Sequence, residues 1–134
     1  MTQLLTPLAF ANRHLGQRVT APGGIGGQCV DLINVWLIDS RGLPAVRLNA
    51  VDWAGKKLPG LAWVANKPAN VPPRGAIVVW GESADVGTGV DGHIAINLTA
   101  DAMTLCTCDQ NWGGEIVTLQ LHSYHGVLGW HVPG

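Results

Sequence analysis

The apolar positions change period partway along the chain: helical spacing rules the first third, whereas from Gly75 onward apolar residues run together or alternate as in strands. The densest stretch, Gly26-Gly27-Gln28-Cys29-Val30-Asp31-Leu32-Ile33-Asn34-Val35-Trp36-Leu37, passes from a glycine turn into a helix that is apolar nearly all round. Cys29, Leu32, Ile33, Trp36 and Leu37 share one stripe, while Val30, Val35 and Ile38 make much of the other side apolar too. Such a helix is buried, so it is expected at the centre of the domain with Cys29 in its first turn. Upstream, Leu8, Ala11 and Leu15 predict a helix over about residues 6–19, with Thr6 as cap, Pro7 in the first turn and Gly16 near the end. Downstream, residues 39–44 break the pattern and a short helix is expected over residues 50–55. Pro59, Gly60, Pro68, Pro72 and Pro73 then predict an irregular excursion.

The second half reads as strands. Ala76-Ile77-Val78-Val79-Trp80 is a continuous β-branched run of the kind buried on both faces. After a polar loop, His93-Ile94-Ala95-Ile96-Asn97-Leu98 alternates, which sends Ile94, Ile96 and Leu98 to the core and His93, Ala95 and Asn97 to the other face. Residues 103–110 form the next strand, with Cys106 and Cys108 on one face and Thr107, Asp109 and, if extension continues, Asn111 on the other. Further strands are expected over 116–121 and 127–132. Helices first and an antiparallel sheet after them make an α+β plan.

Composition narrows the class. A chain of 134 residues, 47% hydrophobic and 13% charged, is expected to fold as one domain over 1–134. Its net charge of −1, without a basic block, points away from nucleic acid. No apolar run is long enough to span a membrane, and Met1-Thr2-Gln3-Leu4-Leu5-Thr6-Pro7 lacks the basic region of a signal peptide, which predicts a protein first folded in a cytoplasm. Three cysteines leave at least one thiol free.

The free thiol that matters is expected at Cys29. Unpaired N–H groups and the positive end of a helix favour a thiolate there, and the thiolate is the nucleophile. His93 at a strand start and Asp109 or Asn111 on the next strand supply the remaining parts of a cysteine–histidine hydrolase. His93 would take the thiol proton, and Asp109 or Asn111 would fix its ring. The backbone N–H of Cys29, with Gln28, would meet the oxyanion. Six tryptophans are many for this length: Trp36 and Trp80 belong to apolar runs, whereas Trp112 is expected at the cleft. A rival chemistry is a zinc site from Cys106, Cys108, His122 and His125. Its spacing fits no common zinc framework, and the two cysteines are more simply packing residues, so no metal or cofactor is expected.

Four segments in order carry a family resemblance: Gly27-Gln28-Cys29-Val30-Asp31-Leu32, Pro73-Arg74-Gly75-Ala76-Ile77-Val78-Val79-Trp80, Gly92-His93-Ile94-Ala95-Ile96 and Asp109-Gln110-Asn111-Trp112-Gly113-Gly114. Together they resemble the CHAP family of cysteine, histidine-dependent amidohydrolases and peptidases, over nearly the whole chain. The resemblance implies a papain-like, NlpC-like fold with N-terminal helices on a central antiparallel sheet. It also implies bacterial peptidoglycan as substrate, as for a phage endolysin or virion-associated lysin. The bond would be an amide between glycan and stem peptide, or one within the peptide and its crosslinks. Cys29 matches the nucleophile, His93 the base, and Asp109 and Asn111 the acidic and amide positions. Two departures stand out. Gly75-Ala76 replaces the Gly-Asp of many members. The segment Ala21-Pro22-Gly23-Gly24-Ile25-Gly26-Gly27 has none of the carboxylates that bind calcium in some lysins, so calcium-independent activity is expected. The sequence carries no wall-binding repeat, so targeting is expected from the cleft, from a partner or from delivery inside a virion; a monomer acting at the cell wall is expected. Other readings are a silent wall-binding or structural phage protein of this fold, and a papain-like protease or deamidase acting on proteins.

Overall fold

The computed structural model describes residues 5–133; Met1–Leu4, part of the segment read for a signal peptide, lie outside it with Gly134. Helix α1 (Pro7–His14) starts at Thr6, whose hydroxyl accepts from Ala9 N at 3.1 Å. It ends earlier than the apolar spacing suggested, because Gly16 takes φ 79° and turns the chain away from the helix. Helix α2 (Cys29–Val35) begins at Cys29 and runs on through a wider π-helical turn, Trp36–Ser40. Leu32, Ile33, Trp36 and Leu37 are buried, as a helix apolar on both sides requires. Asn34 fastens the following loop to α2 by bonding both the N–H and the C=O of Val46. A 3₁₀ turn, Ala50–Trp53, stands where the short helix was expected.

Among the described residues six strands follow: β1 (Leu61–Ala65), β2 (Ile77–Trp80), β3 (His93–Ala100), β4 (Thr104–Gln110), β5 (Val117–Ser123) and β6 (Val127–Pro133). They form one antiparallel sheet in the order β1-β6-β2-β3-β4-β5. The fold is thus α+β, as expected. Strand β1 corrects the irregular reading of the proline-rich excursion. It is an edge strand paired only with β6, and its partly buried, non-alternating side chains hide it from a periodicity test.

The sheet's other face is covered as well. Ile77, Val79, Ile94, Ile96 and Cys108 pack with α1 and α2. The opposite face is also a core, built from Ala76, Val78, Trp80, Ala95, Leu105, Val127 and Trp130. Residues 93–98 are therefore buried on both sides. Asn97 is paired through its Nδ2, which donates to Pro72 O and Pro73 O at 3.0 Å each, while its Oδ1 is buried without a partner among the described residues.

Candidate active site

The turn before α2 is held by one buried carboxylate. Asp31, 2% exposed, accepts backbone N–H groups from Ala21 at 3.1 Å, Gly26 at 2.9 Å and Gln28 at 3.2 Å. Gly24 lies so close that a Cβ there would overlap Asp31 Oδ1, which explains a glycine at that position. Gln110 makes a second clamp from β4. Its Nε2 donates to Val19 O at 2.9 Å and Gln28 O at 2.8 Å, and its Oε1 accepts from Val19 N at 2.7 Å. These contacts fix the residue just before Cys29. Asp31→Ala would leave three N–H groups without an acceptor, so a stability loss of about 3 kcal/mol is expected in urea unfolding. Unchanged stability would show that the turn has other support.

Cys29 lies partly buried at the first turn of α2, with its thiol near enough to the His93 ring to favour the charged imidazole. His93, 3% exposed at the start of β3, places Nε2 2.7 Å from Asp109 Oδ2. Because Nε2 is engaged there, Nδ1 is the nitrogen left for the thiol. Asp109 is fully buried and has further partners: His122 Nε2 at 3.1 Å on the same oxygen, and the Thr107 hydroxyl on Oδ1.

The charges follow from this geometry. Burial works against a charged His93, but bonds to Asp109 and Cys29 and attraction to both outweigh it and raise its pKa to about 9. Burial likewise opposes ionisation of Asp109, yet the bonds from His122 and His93 hold its carboxyl below the usual range. Cys108 is the contrast, since burial first, and then the nearby Asp109 and Cys106, push its thiol up to about 12. The Trp112 ring lies 4.8 Å from His93 and 4.9 Å from His122, while Trp80 stands 5.3 Å and 4.8 Å from the same two rings. Two indoles thus screen the His93–Asp109 bond from water.

Of the residues singled out from sequence, Cys29, His93, Asp109 and Trp112 come together. Asn111 and Gln28 meet at the rim instead: Asn111 Nδ2 donates to Gln28 Oε1 at 3.1 Å, and Gln28 Nε2 donates to Glu115 Oε1 at 3.2 Å. The backbone N–H of Gln28 is held by Asp31. The residues of the zinc reading part ways, with His122 on Asp109 and His125 on Asp85 at 3.2 Å, and the described residues contain no metal-binding cluster. Thr107, His122, Gln110 and Asp31 were missed as parts of the site. Strand parity already put Thr107 beside Asp109, whereas His122 depends on how β5 pairs with β4, which spacing alone does not encode. A groove of about 440 Å³ lies on the other side of α2, lined by Ile25, Gln28, Val30, Asn34, Arg47 and Asp52, and neither Cys29 nor His93 belongs to its lining.

A cysteine on a helix start, facing a histidine held by a carboxylate across an antiparallel sheet, is the architecture of papain-like thiol enzymes. The family model of the CHAP domain matches residues 19–111, and the chain belongs to that family. No curated protein matches the chain. Among solved structures, the wild-type endolysin LysIME-EF1 is similar with a TM-score of 0.79 at 23% identity, over 99% of this chain and 65% of the other. Ly7917 is similar with a TM-score of 0.71 at 18% identity, over 98% of this chain and 62% of the other. A structure of Ly7917 with the hydrolysing product of MDP gives 0.66 at 16% identity, over 92% and 60%. The chain therefore spans less than two thirds of the length of these neighbours.

Proposed function

We propose that this protein hydrolyses an amide bond of bacterial peptidoglycan with Cys29 as nucleophile, His93 as general base and acid, and Asp109 as the group that orients His93. The observation that carries the reading is the His93 ring held by Asp109 at Nε2, with the Cys29 thiol close enough to favour its charged form, in a chain of the CHAP family. Similarity to an endolysin, and to a protein crystallised with a hydrolysis product of MDP, supports the substrate class.

The steps follow from the atoms. His93 takes the thiol proton, and Cys29 Sγ attacks the amide carbonyl carbon. The oxyanion meets the N–H of Cys29, one of the groups that a helix start leaves unpaired. His93 then returns the proton to the departing nitrogen, the C–N bond breaks, and a thioester remains on Cys29. Water, deprotonated by His93, attacks the thioester and releases the carboxylate and the thiol. Asp109 stays ionised throughout and fixes the ring tautomer. Trp112 shields the His93–Asp109 bond, while Asn111 and Gln28 bond to each other beside the turn that leads into Cys29.

The test is digestion of purified peptidoglycan, with product masses and newly exposed amino termini determined. A new terminus on the first stem residue marks an amidase, and one further along marks an endopeptidase. Release of no fragment from walls of several chemotypes would refute the substrate assignment. Activity should also fall as pH rises past about 9, because His93 then no longer holds the proton that the leaving nitrogen needs. A rate still climbing well beyond that point would contradict the acid role.

A further inference from the structure

We propose that His122 is a positioning residue of the reaction: from β5 it holds the Asp109 carboxylate opposite His93 and takes a share of the charge that His93 would otherwise receive. The proposal rests on the cysteine–histidine reading above and adds a second imidazole to it. Asp109 Oδ2 is shared by His93 Nε2 at 2.7 Å and His122 Nε2 at 3.1 Å, and Oδ1 takes the Thr107 hydroxyl. A buried carboxylate with three donors has one orientation open to it. For both rings to donate to one oxygen, each must carry its proton on Nε2, which leaves Nδ1 of His93 free to face Cys29. His122 is itself 8% exposed and lies against Trp80 and Trp112, so its ring has little room to turn.

A carboxylate divided between two donors holds each proton less firmly than one committed to a single partner. His93 must hold its proton well enough to keep the thiolate paired, yet release it to the leaving nitrogen within each turnover. Dividing the charge of Asp109 moves His93 toward that balance. The titratable groups around the network are Cys29 from α2, His93 from β3, and Asp109 and the buried, protonated Cys108 from β4. On the outer side, Asp85 and His125 line the pocket that His122 borders and pair with each other at 3.2 Å. The Asp85–His125 pair is exposed and satisfied internally, which leaves Asp109 as the anion that His122 serves.

The test compares wild type, His122→Gln and His122→Leu by alkylation of Cys29 with iodoacetamide across pH, read at that peptide by mass spectrometry, together with kcat and KM on soluble wall fragments. In His122→Leu the alkaline step of the alkylation profile, where His93 loses its proton, should move up by about half a unit or more. Its kcat should fall about tenfold with KM unchanged. His122→Gln, which keeps an N–H for Asp109, should retain the wild-type step. A step at the same pH in His122→Leu as in wild type would overturn the proposal. Should the leucine variant fail to fold, the nitrogen-15 side-chain spectrum of wild type decides: a proton on His122 Nε2 supports the assignment, and a bare Nε2 refutes it. If wild type cuts no wall material while its Cys29 profile behaves as described, the substrate reading fails and the role of His122 stands.

Discussion

Cys29→Ala is expected to abolish release of wall fragments, lowering the rate by about 10⁴-fold or more, while leaving the melting temperature nearly unchanged. The loss is large because no neighbouring group can replace the sulfur. Cys106 and Cys108 lie on β4, and the Cys108 thiol, pushed up to about 12 by burial, is almost wholly protonated at neutral pH. Stability should hold because Cys29 is only partly buried and alanine suits the first turn of a helix. The paired control is Cys106→Ala, which should keep full activity. Residual hydrolysis by Cys29→Ala above a few per cent of wild type would move the nucleophile elsewhere.

The second large effect is expected at Asp109. Asp109→Asn preserves the shape of the side chain but removes the charge that keeps His93 protonated, and its NH₂ group can face Nε2 and force the wrong tautomer. A fall in kcat of about 10³-fold is expected. The same change should carry the alkaline step of Cys29 alkylation down from about 9 toward the ordinary value of 6.5. That shift separates a lost charge from a merely disturbed fold, which would lower the amount of active protein without moving the step. If the step stays in place, Asp109 is not the group that holds the His93 proton.

Much of this arrangement was legible before any coordinates. The apolar helix around Cys29, the strands after Gly75 and the parity that sets Thr107 and Asp109 on one face all follow from local periodicity. Other features did not. Strand β1 escaped because an edge strand with mixed burial leaves no period-two signature. The second core behind β3 escaped because alternation of His93, Ala95 and Asn97 with isoleucine and leucine looks like a solvated face, and only Trp80 and Trp130 reveal the cover. The choice between Asp109 and Asn111 beside His93 depends on where β4 ends. Extension stops at Gln110, and Asn111 takes φ 62°, which turns its side chain toward Gln28. Asp31 and Gln110 look like ordinary polar residues in sequence, since their partners are backbone groups of a turn whose path no pattern specifies.

The Gln110 clamp has a further consequence for how the molecule comes to life. It joins Val19 and Gln28 to a residue 91 and 82 positions further along, and Asp109 is its immediate neighbour. The turn into Cys29, which Asp31 holds from within its own segment, therefore gains its second clamp, and His93 its carboxylate partner, only once β4 has been synthesised and docked. A growing chain on the ribosome carries Cys29 without that assembly for most of its length, and the site is completed late, when the strand bearing Asp109 and Gln110 enters the sheet.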